Sequence, residues 1–171
     1  METTKNKLSP NVARFFHNLC NYVDTKLFYY GSVQRDDYIP NKSDIDIDIF
    51  TDNEHSTINK LQHYLHMKKN DFKKVVWVLK GQYVYGHKLK YINKTKGIEA
   101  EFSIYNEKFK DIIIKEHINK FVLPMHVSIM LYIIKYLFYK MELLSNSTYN
   151  KSKRFILNNC VDGYSEKFLV F

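Results

Sequence analysis

Residues 44 to 49 read Asp-Ile-Asp-Ile-Asp-Ile, and this strict alternation limits the fold more than any other stretch of the chain. A period of two is the pattern of a β-strand with one face buried. Asp44, Asp46 and Asp48 therefore share one side, and Ile45, Ile47 and Ile49 the other. Successive same-face residues on a strand stand about 7 Å apart. Carboxylates at that separation repel one another and oppose folding unless a cation lies among them. The residues thus predict a sheet that is apolar on one face and carries a divalent-cation site on the other. An EF-hand loop also spaces its acids this way, but its sixth position is glycine and its twelfth glutamate. Here those positions hold Ile49 and His55, so the strand reading is the better one.

The charge is arranged to match. Residues 36 to 54 hold seven of the 18 acids and one lysine, so that segment carries −6 while the rest of the chain carries +14. An acidic centre in a basic body suits a site that binds a metal through carboxylates and a polyanion through lysines. A chain of 171 residues with 45% hydrophobic content has enough material for one compact core. Cys20 and Cys160 belong to no metal-ligand spacing and read as reduced thiols. The opening METTKNKLSP has no apolar segment of the secretory type, which leads to the expectation of a soluble cytoplasmic protein.

Along the chain, Ser9-Pro10 and the spacing of Val12, Phe15, Phe16, Leu19 and Val23 predict a helix over 10–25. A short strand, Leu27 to Tyr30, ends at Gly31-Ser32, a pair that brings backbone close to a ligand and adds a hydroxyl. The acidic strand 44–50 follows, then a helix over 54–68 on which His63 and His66 read as surface residues. Strands over 74–79, 83–92 and 98–105 predict an antiparallel meander. Tyr83, Tyr85, His87, Leu89 and Tyr91 share one face of the middle strand, suited either to packing or to stacking on nucleic-acid bases. Glu99 and Glu101 share a face of the last strand. A helix follows around Phe109, Ile112 and Ile113, and another runs from Leu123-Pro124 to about Leu144. On the latter, Ser128, Tyr132, Lys135, Tyr139 and Glu142 form a polar stripe, predicting one wet face rather than a membrane span. Residues 145 to 154 read as an exposed connection, and the apolar ending Phe168-Leu-Val-Phe171 as a docked tail.

The stretch GSVQRDDYIPNKSDIDI resembles the signature of the DNA polymerase beta-like nucleotidyltransferase superfamily: a glycine-serine pair, a spacer, then acid-x-acid on a strand. More narrowly it is similar to the minimal nucleotidyltransferases, whose pattern is approximately GSxARGxxxPxSDIDL. Gly31, Ser32, Arg35, Asp37, Pro40, Ser43, Asp44, Ile45 and Asp46 fall on that pattern. Asp36 stands where the family usually has glycine, and one extra residue separates Pro40 from Ser43.

The resemblance implies an α+β fold with a mixed, mostly antiparallel sheet flanked by helices. It implies a catalytic core over 1–106 and a helical region over 107–171 packed on it. It further implies Asp44, Asp46 and Glu101 as catalytic metal ligands, with Asp48 and Glu99 in reserve, and Gly31, Ser32, Arg35 and Ser43 as nucleotide-binding residues. The implied cofactor is a pair of Mg²⁺ ions, which Mn²⁺ replaces, and the implied donor is a nucleoside triphosphate, ATP first. The acceptor stays open among a protein side chain, a small molecule and an RNA or DNA end. A catalytically silent module that binds nucleotide or a helical partner protein is the alternative reading. It is motivated by a glutamate where the family more often has aspartate.

Overall fold

The computed structural model describes residues 2–119, 123–160 and 168–170. Helix α1 (Pro10–Val23) begins on Pro10, whose missing N–H costs nothing in the first turn. It buries the five predicted apolar residues. Strand β1 (Phe28–Tyr30) leads into a 3₁₀ turn over Gly31–Gln34. Strand β2 (Ile45–Thr51) carries the alternating segment. Asn53 then caps α2 (Glu54–Leu65) by accepting the Ser56 N–H at 3.0 Å.

Strands β3 (Lys73–Leu79), β4 (Gln82–Asn93) and β5 (Ile98–Asn106) form the expected antiparallel meander. Strand β5 returns to lie parallel to β2, and β1 flanks β2 antiparallel. Strand β6 (Phe168–Val170) adds to β3, so the order is β1-β2-β5-β4-β3-β6 with a single parallel pairing. The apolar ending is thus a paired edge strand; Phe171 lies outside the described residues.

The two faces of the sheet bury different things. The isoleucine face of β2 packs with Phe102, Ile104 and Leu89 beneath α1 and α2. The opposite face is divided along the strands. Its far half holds Phe50, Val75, Trp77, Val84 and Tyr105, covered by Phe109 in the 3₁₀ turn Glu107–Phe109 and by Ile113 of helix α3 (Lys110–Asn119). Its near half holds the acids.

Helices α4 (Met125–Tyr139) and α5 (Asn146–Cys160) pair through Val127, Leu131, Ile156 and Leu157. Two expectations are corrected here. Residues 145 to 154 are not an exposed connection: most of them lie in α5, which buries Tyr149 against Phe138 in a stacked pair 4.4 Å between centroids. The polar stripe of α4 is wet only in part: Tyr132 and Glu142 are exposed, Ser128 and Tyr139 half-buried. Lys135 is only 2% exposed, whereas Ile129 and Ile133 face solvent. An ammonium can be buried this way because it meets a carboxylate, as described below. No helix among the described residues is long and apolar enough to cross a membrane.

Candidate active site

The near half of the second face is assembled by register. Asp46 lies directly opposite Glu101 on β5 and opposite Tyr30 on β1. Asp44 precedes Asp46 on the same side, and Glu99 precedes Glu101 in the same way. Asp44, Asp46 and Glu101 are therefore brought onto one face at one end of the β2–β5 pair. Asp46 feels this crowding: burial, then the charges of Asp44 and Glu101, push its carboxyl up to about 8, partly opposed by Lys153 and Lys88.

Gly31 sits against this carboxylate. It adopts a left-handed φ of 68°, and a Cβ at this position would collide with Oδ2 of Asp46. The missing side chain thus lets the Asp46 carboxylate pack directly against the turn. Beside it, Ser32 is buried, and its Oγ has no hydrogen-bond partner among the described residues. A buried hydroxyl is seldom left unsatisfied without a ligand to account for it.

Arg35 and Ser43 are placed differently. The Arg35 guanidinium donates to Asp37 through Nε at 2.8 Å and Nη2 at 3.2 Å. Lys135 donates to Asp37 Oδ2 at 2.9 Å, to the Asp37 carbonyl at 2.9 Å and to Ser43 Oγ at 3.4 Å. Ser43 Oγ in turn accepts the Ile39 N–H at 3.1 Å. Burial raises the Asp37 carboxyl, but Arg35 and Lys135 outweigh it and hold the group below its ordinary value. Burial pulls the Lys135 ammonium down, against the support of Asp37. This network clamps the 35–43 loop to α4, one connection away from the acids.

Asp48 is not at an exposed strand end. It is 0% exposed and meets His117 Nε2 at 2.8 Å, with Tyr30 stacked on the His117 ring at 4.0 Å. Burial raises the Asp48 carboxyl and His117 opposes the rise. Glu99 pairs with Lys90 at 2.7 Å, and Glu101 with Lys88 at 2.6 Å. A cavity of about 210 Å³, lined by Tyr38, Lys42, Ser43, Lys94 and Glu99 among others, adjoins the acids without covering them.

Oxygen ligands on one face, one of them pushed toward its protonated form by burial and like charge, are the donor chemistry of a hard divalent cation. Among the described residues no three such groups are gathered closely enough to form a ready cage. Four residues near the site were absent from the sequence expectation. Lys135 was taken for a solvent residue and Lys153 for part of a loop. Lys88 and His117 have no pattern in the sequence that marks them for the site.

No curated protein sequence matches the chain significantly. Two of the solved structures that the chain is similar to are forms of Cid1. One is described by its RNA terminal uridylyl transferase activity, Cid1, at 14% identity and a TM-score of 0.44, over 81% of this chain and 45% of that one. The other is the Cid1 poly(U) polymerase bound to MgATP, at 14% identity and a TM-score of 0.37, over 81% and 46%. The chain therefore spans less than half the length of either. A family profile described as the nucleotidyltransferase domain matches residues 12–154, taking in the glycine-serine turn, the acidic strand, α4 and part of α5. On that match, which runs over most of its length, the chain belongs to the nucleotidyltransferase domain family.

Proposed function

We propose that the protein transfers a nucleoside monophosphate from a nucleoside triphosphate, ATP first, to an acceptor hydroxyl. The observation that carries this reading is the packing of Asp46 between Gly31 and Glu101. Asp44, Asp46 and Glu101 would hold Mg²⁺, or Mn²⁺ in its place; bound there, the ions neutralise phosphate charge and acidify the attacking hydroxyl. Ser32 Oγ, the unpartnered hydroxyl, donates to a phosphate oxygen, and the close approach of the Gly31 turn to Asp46 sets that phosphate beside the metal ligands. Lys153, whose charge acts on Asp46 from α5, draws in the triphosphate. Arg35, Ser43, Asp37 and Lys135 position the loop that carries the turn.

In the transfer, the acceptor oxygen bonds to the α-phosphorus as the α–β phosphoanhydride breaks. Pyrophosphate leaves, and the hydroxyl proton passes to a strand carboxylate or to solvent. Residues 1–106 supply the acids and the turn, and the helices of 107–171 supply the clamp and the lysine.

One feature favours a silent binding module instead: Lys88 already neutralises Glu101. The two readings part in a labelling experiment. The protein is incubated with α-phosphate-labelled nucleoside triphosphates, in Mg²⁺ or Mn²⁺, alone, with RNA and with lysate. Label on any acceptor supports the transferase and identifies the acceptor class. Nucleotide bound without product in every condition supports the module.

A further inference from the structure

Strand β4 does not use its aromatic residues alike. Leu89 and Tyr91 are buried under α1, Tyr91 stacking on Phe15 at 5.7 Å. Tyr83 and Tyr85, on the same face two and three pairs further along, are 60% and 57% exposed. Val78 lies opposite Tyr83, Val76 opposite Tyr85, and Leu169 beside Val76 at the edge. Helix α2 reaches this face no further than His87, which meets Glu54 at 3.4 Å. The end of the sheet is therefore a flat, uncovered surface with two adjacent phenol rings on it.

Its charge says what it fits. Residues 73 to 97 contain seven lysines and no acid. Lys88 and Lys90 turn to the acids on the far face, while Lys73, Lys74, Lys80, Lys94 and Lys96 are exposed. Lys74 continues the β3 row of Val76 and Val78, and Lys80 occupies the turn joining β3 to β4. Exposed aromatic faces bordered by lysines, with the nearby Glu54 already paired to His87, are complementary to a polyanion with exposed rings. Successive same-face rings on a strand stand about 7 Å apart, a spacing that the unstacked, splayed bases of a single strand can meet.

We propose that the exposed face of the β3–β4 hairpin binds single-stranded nucleic acid, with bases stacked on Tyr83 and Tyr85 and phosphates held by Lys74 and Lys80. The surface lies on the side of the sheet away from the acids, so it anchors a strand at a distance from them.

The test is anisotropy of a fluorescein-labelled oligouridylate of about 12 nucleotides, at about 50 mM salt, with no triphosphate or divalent cation present. The wild type binds, and Tyr83→Ala with Tyr85→Ala weakens binding about tenfold or more. Tyr83→Phe with Tyr85→Phe retains binding, because phenylalanine still stacks. Lys74→Gln and Lys80→Gln each flatten the dependence of log affinity on log salt by about one unit. All four positions are solvent-facing, and circular dichroism checks that the variants fold. Absence of binding, equal binding by the alanine variant, or loss of phosphatidylserine-vesicle binding instead of RNA binding overturns the proposal. Since transfer is not measured, neither this result nor that of the labelling experiment decides the other.

Discussion

At the scale of single residues, the site is defined by what stands next to Asp46. Glu101 lies directly across from it and Glu99 does not, so the two glutamates are expected to separate by mutation. Glu101→Gln should cost transfer about 100-fold or more, and Glu99→Gln less than about tenfold. Steady-state rates in Mg²⁺ check this, and equal mild losses would remove Glu101 from the site. The raised Asp46 carboxyl also makes a prediction about stability. Between about pH 4 and pH 8 the folded chain keeps a proton that the unfolded chain has released. Stability of the metal-free protein from this group is thus fully present below pH 4 and lost as pH rises through about 8. Melting temperatures in chelator should fall across that window in the wild type and fall less in Asp46→Asn. A divalent cation should restore the wild type at the alkaline end.

At the scale of elements, α4 is tied to the sheet's loop by one buried cluster, and α5 packs on α4. Lys135→Met leaves Asp37 with Arg35 alone and should lower stability by about 2–4 kcal/mol. Urea unfolding measures it, and Asp37→Asn combined with Lys135→Met should cost less than the sum of the two. The strands were legible in the sequence because their pattern is local: alternation placed β2, and the paired glutamates of β5 needed only a parallel register to face it. Gly31 was legible as a turn, but its contact with Asp46 was not, since that depends on how β1 leaves the sheet. α5 and Lys135 were hidden for one shared reason. SNSTYNKSKR has no apolar period of its own, and a lysine on a helix reads as solvated until its partner, 98 residues earlier, is known. Likewise Asp48 fits the alternation of a metal strand, and only the position of α3 shows it spent on His117.

At the scale of the whole molecule, the chain divides its labour by charge and by face. A −6 segment folds into the sheet of a +14 body, and the lysines of α5 and β4 point back at the acids they offset. The isoleucine face holds the fold together, while the opposite face gathers like charge around Asp46 that Lys88 and Lys153 offset only in part and a cation would balance. The exposed tyrosines extend this pattern to the far end of the sheet, again with lysine beside them. The central claim is that Asp46 organises phosphoryl chemistry at this face. Its most direct test is the rate of label transfer from an α-phosphate-labelled triphosphate by the wild type and by Asp46→Ala, both shown to be folded, in Mg²⁺ or Mn²⁺. The account predicts labelled product from the wild type and a loss of about 1000-fold or more in the variant. Transfer by Asp46→Ala near the wild-type rate would contradict it.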